Sequence, residues 1–375
     1  MSNQPTLKGD DLVAAIGHVH PQVLVVRSTK VTAEMLRASD TLNLVVRGGA
    51  GVNTIDLDTC STLGICVANC PGKNAIAVAE LTLGLALALD RKICDNVIDL
   101  RAHKWNKKAY SKGRGLNGRT LGLLGLGRIG MEVAKLGQSL GMDVVAWSRS
   151  LTQDKAKALG IRAADTPEEV ATQSYVLSVH LAACDETRTL VNASLLQHLP
   201  EDAIFLNTSR SEVVDEAALL RRLNDGMLWA GLDVFSQEPA TKEGEWTHPL
   251  AVHPRVYGTH HIGASTAQAQ EAVGDEVCRI VETFRDRGRV LNCVNLSDMP
   301  QTPVTLVVRH LDRVGVLAGV LTTLQTDGIS VGTMENLIFK GNEAAVARIQ
   351  LRDTPSTSAL ELIQKQASIL SISLL

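Results

Sequence analysis

Leu121-Gly-Leu-Leu-Gly125-Leu-Gly127-Arg128-Ile129-Gly130 is the stretch on which the fold turns. Its apolar start runs straight into G-x-G-x-x-G. The apolar residues that follow, Ile129, Val133, Leu136 and Leu140, step by four, three and four. That order reads as strand, glycine-rich turn and amphipathic helix. Gly125 permits the tight turn, Gly127 lets the backbone approach a pyrophosphate, and Gly130 lets helix and strand pack closely. The helix then offers unpaired N–H groups and the positive end of its dipole to phosphates. The reading is a dinucleotide-binding unit with Gly125, Gly127, Arg128, Ile129 and Gly130 at the cofactor. Its alternative is a turn that only needs flexible glycines.

Around this unit, strands are predicted at 121–125, 143–147, 175–180, 203–208, 229–234 and 256–259, with helices between most of them. Six strands in this rhythm suit a doubly wound parallel sheet. Upstream, VLVV (23–26) and LNLVV (42–46) flank TAEMLRAS, a short helix opened by Thr32. GICVAN (64–69) ends at Pro71-Gly72. A second α/β unit is expected there. The helix from about Asn74 to Leu89 is apolar nearly all round and should be buried.

Downstream of Thr302 the rhythm changes. VTLVVRH reads as a strand and VGVLAGVLTTLQTDG as a helix ending at Gly328. ISVGTMENLIF and AAVARIQL read as strands joined at Lys340-Gly341-Asn342. A helix near 356–366 and the strand ILSISLL complete a ferredoxin-like βαββαβ order. NCVNLSDMPQTP (292–303), with two prolines, reads as a linker. The expected fold is therefore α/β, with two doubly wound, Rossmann-like parallel-sheet domains and a C-terminal βαββαβ domain.

Bulk properties narrow the function. The 375 residues suit two or three domains, and 45% hydrophobic content lets each bury a core. A net charge of −3 without a basic run argues against a nucleic-acid partner. The start lacks the charged-then-apolar pattern of a signal peptide. Glu80 and Thr82 interrupt the richest apolar stretch, so no membrane span is expected. The seven scattered cysteines include no C-x-x-C pair. They suit inert thiols in a reducing cytoplasm rather than metal ligands or disulfides.

The strand MDVVAW should end at the adenosine ribose, where an acidic residue would bind both hydroxyls and favour NAD. Trp147-Ser148-Arg149-Ser150 stands there instead. Arg149 can supply a counter-charge to a 2′-phosphate, with Ser148 and Ser150 donating hydrogen bonds. Alternatively, Arg149 is a solvated loop residue. NAD and NADP both stay open.

Three further segments follow strands of the same sheet: Phe205-Leu-Asn207-Thr-Ser-Arg210, Gly231-Leu-Asp233-Val-Phe-Ser-Gln-Glu238-Pro239 and Thr259-His260-His261-Ile-Gly263. Ligands on such sheets bind beyond the carboxyl ends of the strands, so Arg210, Glu238 and His261 can converge. Reducing a 2-keto acid needs a hydride at C2 and a proton on oxygen. His261 can deliver the proton near neutral pH, Glu238 can orient and stabilise the imidazolium, and Arg210 can hold the carboxylate and polarise the carbonyl. Singly, each residue reads more simply as a surface ion pair, a loop acid or a buried histidine.

With Arg47-Gly-Gly-Ala-Gly51-Val-Asn-Thr-Ile-Asp, Asn69-Cys-Pro-Gly-Lys-Asn and Ala79-Glu80-Leu-Thr, these segments make residues 20–295 resemble the D-isomer-specific 2-hydroxyacid dehydrogenases. The C-terminal segment, with His310-Leu-Asp312-Arg-Val-Gly315, resembles an ACT domain. The combination is similar to the phosphoglycerate dehydrogenase branch of that family. The resemblance implies catalytic roles for Arg210, Glu238 and His261, with Asp233 at the nicotinamide carboxamide. It also implies His180, Thr187, Thr208 and Gly263 at the cofactor. It implies a discontinuous substrate domain (1–93 and 271–299), a cofactor domain (94–270) and an ACT domain (302–375). Two positions depart from the family pattern: Ser211 stands for Gly, and His260 stands for Pro. The second leaves two adjacent histidines, of which His261 is chosen because Ile-Gly follows it.

For the substrate, Gly49, Ala50 and Gly51 can form an anion-binding nest. Arg27, Arg47 and Lys73, with Asn74 beside it, favour a phosphate-bearing acid, 3-phosphoglycerate or 3-phosphohydroxypyruvate. NADP-dependent reduction of hydroxypyruvate or glyoxylate is the alternative. A homodimer or homotetramer is expected. An amino-acid effector at His310, Asp312 and Ser330 stands against a module that only dimerises. A different class, a nucleotide-sensing partner-binding protein like the family's corepressor relatives, uses the same scaffold.

Overall fold

The computed structural model describes residues 6–239, 243–297 and 304–375. The chain forms two compact units, Met1–Asn295 and Leu296–Leu375.

The first unit opens with α1 (Gly9–Val19), β1 (Val23–Val26), α2 (Ala33–Arg37), β2 (Leu44–Arg47), α3 (Leu57–Thr62) and β3 (Cys66–Asn69). These strands make a parallel sheet in the order β1-β2-β3. Thr32 opens α2 by accepting a hydrogen bond from the Met35 N–H, the N-cap role its side chain suits. β2 starts at Leu44, two residues later than expected, because the Asn43 side chain bonds back to the Thr41 carbonyl. β3 starts at Cys66, since Gly64 has a left-handed φ of +69° in the turn that ends α3.

Next come α4 (Ala75–Arg91), α5 (Ile93–Arg101), α6 (Lys107–Tyr110), β4 (Thr120–Leu124), α7 (Arg128–Ser139), β5 (Asp143–Trp147), α8 (Gln153–Ala158) and β6 (Arg162–Ala163). They are followed by α9 (Pro167–Gln173), β7 (Val176–Val179), α10 (Ala193–Gln197), β8 (Ala203–Asn207), α11 (Glu216–Asn224), β9 (Leu228–Leu232), β10 (Val256–Gly258) and α12 (Ala267–Arg287). The seven strands β4 to β10 form one parallel sheet, ordered β10-β9-β8-β7-β4-β5-β6. The order reverses between β4 and β7, which opens a crevice beyond the strand ends. β6, two residues long, is too short for periodicity to reveal.

Both faces of this sheet are covered. On one, Leu121, Leu123 and Leu206 pack against Leu85 and Leu89 of α4 and Val133 of α7. On the other, Leu124, Leu177, Val179 and Phe205 pack against Leu195, Leu219 and Leu223. Each such side chain contributes about 1.5–3 kcal/mol on burial. α4 is buried on one face and not all round as expected: Leu83, Leu85, Ala86 and Leu89 are buried, whereas Ile76, Glu80 and Leu87 are exposed. It sits close to the sheet because β9 carries Gly231. A Cβ there would lie 3.1 Å from the Leu85 Cβ.

The 21-residue α12 was not anticipated. It covers the first sheet, with Ile280 against Leu44, Val46 and Ala68. The linker expected at 292–303 is corrected in part. Asn292–Asn295 run along the edge of β3, with the Val294 N–H donating to the Val67 carbonyl (2.8 Å) and Cys293 bridging Ala68. The Asn295 side chain accepts from the Val67 N–H (2.8 Å) and donates to the Ile65 carbonyl (2.9 Å). The rest of that stretch, 298–303, lies outside the described residues. Among the described residues, no helix is long and apolar enough to cross a membrane. The Cys60 thiol is buried and pushed up to about 11 by desolvation, as an inert thiol should be.

The second unit follows the expected order: β11 (Val304–Leu311), α13 (Val316–Thr326), β12 (Val331–Ile338), β13 (Ala344–Leu351), α14 (Thr357–Gln364) and β14 (Ile369–Leu374). Its antiparallel sheet is ordered β12-β13-β11-β14, the ferredoxin-like arrangement. Leu306, Val308 and Ile349 face Val320, Leu324 and Ile363 of the helices.

Candidate active site

The glycine-rich turn is built around backbone proximity. Gly125 has a φ of +96°, and a Cβ there would meet the His180 carbonyl oxygen at 2.6 Å. At Gly130 a Cβ would run into the Gly125 carbonyl. Gly127 differs: its φ is −77°, and nothing lies within 4 Å of an added Cβ. The fold makes no demand for glycine at 127, so the demand comes from whatever approaches the turn. Gly127 also occupies the N-cap of α7 without any side-chain cap, which leaves that helix's first N–H groups to an anion. The Nδ1 atom of His180 is buried beside the turn without a partner among the described residues, while Nε2 bonds the Ser178 hydroxyl (2.9 Å). Burial pushes the His180 imidazole down to about 4. A bare cradle and an orphaned polar atom together fit a bound dinucleotide.

Beyond β9 and β10, Glu238 and His261 meet, and Arg210, beyond β8, is near enough for its charge to act on both. His261 Nδ1 lies 2.7 Å from Glu238 Oε2. The other Glu238 oxygen accepts from the Phe235 N–H at 3.0 Å. Burial alone would raise the Glu238 carboxyl, but those two hydrogen bonds and the neighbouring charges hold it below the usual range. The Glu238 hydrogen bond raises the His261 imidazole, against the opposing effect of burial. The contact biases His261 toward its protonated form and Glu238 toward its ionised form. Arg210 lies across the glycine-rich turn of the first sheet, where a Cβ on Gly51 would be 2.9 Å from its Nη2. His260 and His261 are both exposed, and the Glu238 contact singles out His261.

Asp233 holds this arrangement. Its buried carboxylate accepts from the Thr259 hydroxyl (2.6 Å) and from the N–H groups of Ile262 (2.9 Å) and Gly263 (2.8 Å). The loop is thereby pinned on both sides of His261, whose own φ of +51° is left-handed. A β-carbon in that region costs about 1–2 kcal/mol, and the Asp233 bonds offset it.

A second brace was not visible in the sequence. Glu216, at the start of α11, accepts from the Ser236 N–H at 2.9 Å and from its hydroxyl. The His248 imidazole lies 3.3 Å from the same carboxylate and stacks on Trp246. Trp246 donates from its indole to the Gln237 carbonyl (3.1 Å). These residues clamp the turn that delivers Glu238. An acid in a helix's first turn reads locally as a dipole partner, and nothing nearby announced its reach to Ser236.

The expected substrate residues divide. The Gly48–Gly51 turn is held by Asn69, whose amide donates to the Ala50 carbonyl (2.6 Å), and by the Cys70 N–H on the Gly49 carbonyl (2.9 Å). Arg47 crosses Gly49, and its buried Nε has no partner among the described residues. Burial, then the charges of Arg210 and Arg27, push Arg47 below its usual range. Arg27 touches Gln270 at 3.3 Å. Three guanidinium groups thus share one electrostatic neighbourhood. Lys73 is committed elsewhere, to the buried Glu276 at 3.3 Å. Asn74 takes the N-cap position of α4 without a side-chain cap.

The other residues expected at the cofactor have structural partners of their own. Thr187 uses its hydroxyl on the Ala182 carbonyl (2.6 Å) and the Cys184 N–H (3.0 Å). Thr208 bonds Thr82 of α4 at 2.8 Å. Arg128 lies against Gly72, whose added Cβ would be 2.6 Å from its Cδ. Ile129 packs at the edge of the core. Ser148 lines a groove beyond β5, whereas Arg149 is exposed. In the second unit, His310 is buried and bonds the Leu311 carbonyl (2.8 Å) and Asn336 (3.1 Å). The Asp312 N–H donates to the Glu343 carbonyl and the Ser330 carbonyl accepts from the Arg352 N–H.

Known proteins share this architecture. Residues 83–263 match the model of the D-isomer specific 2-hydroxyacid dehydrogenase NAD-binding domain. The chain is 33% identical over 324 residues to D-3-phosphoglycerate dehydrogenase of Methanocaldococcus jannaschii, spanning 86% of this chain but only 60% of that protein. It is 38% identical over 284 residues to hydroxypyruvate reductase of Thermotoga maritima, covering 75% of this chain and 89% of that one. The NAD+-bound 3-phosphoglycerate dehydrogenase of Entamoeba histolytica superposes with a TM-score of 0.63 at 28% identity, over 77% of this chain and 87% of that chain. With a dinucleotide cradle and an Arg, Glu and His set on the same parallel sheet, the chain belongs to the D-isomer specific 2-hydroxyacid dehydrogenase family.

Proposed function

We propose that this chain interconverts a small D-2-hydroxy acid and its 2-keto acid, most specifically 3-phosphoglycerate and 3-phosphohydroxypyruvate. The observation that carries the reading is the His261–Glu238 hydrogen bond beside an Arg210 laid over the Gly48–Gly51 turn. When bound at Gly125–Gly130, the nicotinamide cofactor supplies or accepts the hydride. In reduction, His261 gives its proton to the carbonyl oxygen, and Glu238 keeps the imidazolium charged until then. Arg210 and the N–H groups of Gly49–Gly51 hold the carboxylate, and the guanidinium stabilises charge growing on the carbonyl oxygen. Oxidation uses the same groups in reverse, with neutral His261 as base. Asp233 keeps the His261 loop in register.

The phosphate assignment rests on Arg47 and Arg27, two further cations near Arg210. A second reading, reduction of hydroxypyruvate or glyoxylate, draws on one observation: Lys73, the third cation expected for phosphate, is already paired with Glu276. In this proposal residues 1–93 and 271–299 bind substrate, 94–270 bind cofactor, and 302–375 form an ACT module for self-association or an amino-acid effector. The enzyme acts in the cytoplasm.

The test is a panel of 3-phosphohydroxypyruvate, hydroxypyruvate and glyoxylate, followed at the reduced-nicotinamide absorbance band. Turnover highest on the phosphorylated acid supports the first reading. Equal or better turnover on glyoxylate moves the conclusion to the second, and no turnover on any keto acid rejects both.

A further inference from the structure

We infer that the groove beyond the carboxyl end of β5 is a subsite for a phosphate monoester on the 2′-oxygen of the adenosine ribose, and that Lys155 is the cation that selects for it. The groove has a volume of about 370 Å³ and is lined by Leu126, Met131, Ser148, Ser150, Leu151 and Lys155 among others. Leu126 belongs to the glycine-rich turn and Met131 to α7, so the groove begins where the pyrophosphate cradle ends. Ser148 follows β5 directly, the position from which a carboxylate would bind two free ribose hydroxyls. Among the described residues, no acidic one lines the groove. An unsubstituted ribose therefore meets no carboxylate there, and a phosphate meets no repulsion from one.

The positive charge comes from a residue the strand-end pattern did not suggest. Arg149 is exposed and absent from the lining. Its charge helps hold Glu186 below the usual carboxylate range, behind the larger effects of hydrogen bonds from the Cys184 thiol and the backbone. Lys155, from α8, reaches the groove and donates from Nζ to the Ser150 carbonyl at 3.1 Å. That bond uses one of three ammonium protons and fixes the charge at the rim. Ser148 and Ser150 line the same groove and carry hydroxyls that can donate. A phosphate monoester carries well over one negative charge at neutral pH and three acceptor oxygens, which this set of donors suits.

The inference rests on the dehydrogenase reading only for the identity of the dinucleotide, and fragments test it separately. The full-length protein is titrated calorimetrically with adenosine 2′,5′-bisphosphate and with 5′-AMP. The bisphosphate should bind at least about tenfold more tightly, the size of one charge-assisted hydrogen bond. Lys155→Ala should remove most of that difference and leave 5′-AMP affinity unchanged, Lys155→Arg should retain it, and Ser148→Asp should reverse it. Equal affinity for the two fragments, no binding of either, or equal weakening of both by Lys155→Ala overturns the subsite. Discrimination between fragments without keto-acid turnover would reject the enzymatic proposal and leave the subsite standing. Turnover without discrimination would do the opposite.

Discussion

His261 Nδ1 and Glu238 Oε2 are 2.7 Å apart, although 23 residues separate them in the chain. The carboxylate raises the imidazole's proton affinity. Reduction needs the protonated ring, so the rate should fall as pH rises through this raised value. Glu238→Gln removes the charge that raises it. The alkaline limb of kcat/KM for reduction should then move to lower pH, as read from full pH profiles of both proteins. A limb that stays in place would assign that titration to another group.

Arg210→Ala and His261→Ala should each lower kcat/KM by at least about 100-fold, the scale for losing a general acid or a key electrostatic group. Arg210→Lys should recover only part of the loss, because an ammonium lacks the planar fork. Melting temperatures near wild type would show that the loss is chemical.

Gly125 and Gly127 should behave differently. Gly125→Ala places a carbon 2.6 Å from a backbone oxygen in a left-handed conformation, so the protein should fail to fold or melt far lower. Gly127→Ala meets nothing within 4 Å. It should fold, with a change in melting temperature limited to the cost of an altered helix cap, yet lose dinucleotide affinity measured by nicotinamide fluorescence.

Asp233→Asn leaves one oxygen in place of a carboxylate that accepts three hydrogen bonds. Stability should drop by about 1–3 kcal/mol in denaturant melts, the cost of unsatisfied buried partners. kcat should fall more than KM rises, because the loop that presents His261 is loosened.

Glu276 is the acid-sensitive point of the first sheet. Hydrogen bonds from Arg279, and then from Asn292 and Lys73, overcome burial and hold its carboxyl at about 2 against an ordinary 4.5. Its contribution to stability is complete above the ordinary value and is lost as pH falls toward about 2. Glu276→Gln should flatten that part of the stability–pH curve measured by chemical denaturation between pH 5 and 2.5.

The parts legible in the sequence were those governed by local repetition. The strand-turn-helix at 121–140, the Thr32 cap and the βαββαβ order each follow from period and turn chemistry. Arg210, Glu238 and His261 were legible because each trails a strand of one sheet. What stayed hidden depends on distant partners. Glu216 reaches Ser236, Lys73 is drawn to Glu276, and Arg149 turns out to solvent while Lys155 lines the groove. α12 was missed because its buried positions face a sheet more than 200 residues earlier in the chain.

α12 and the Asn292–Asn295 edge also set an order of assembly. The first three strands emerge early from the ribosome, but the helix that covers one of their faces starts only at Ala267, far downstream of Asn69, where β3 ends. The seven-stranded sheet between them is complete once β10 has been made and can condense first. Until then the earliest-made part of this protein has its apolar face bare, and it is there that a nascent chain would call on a chaperone.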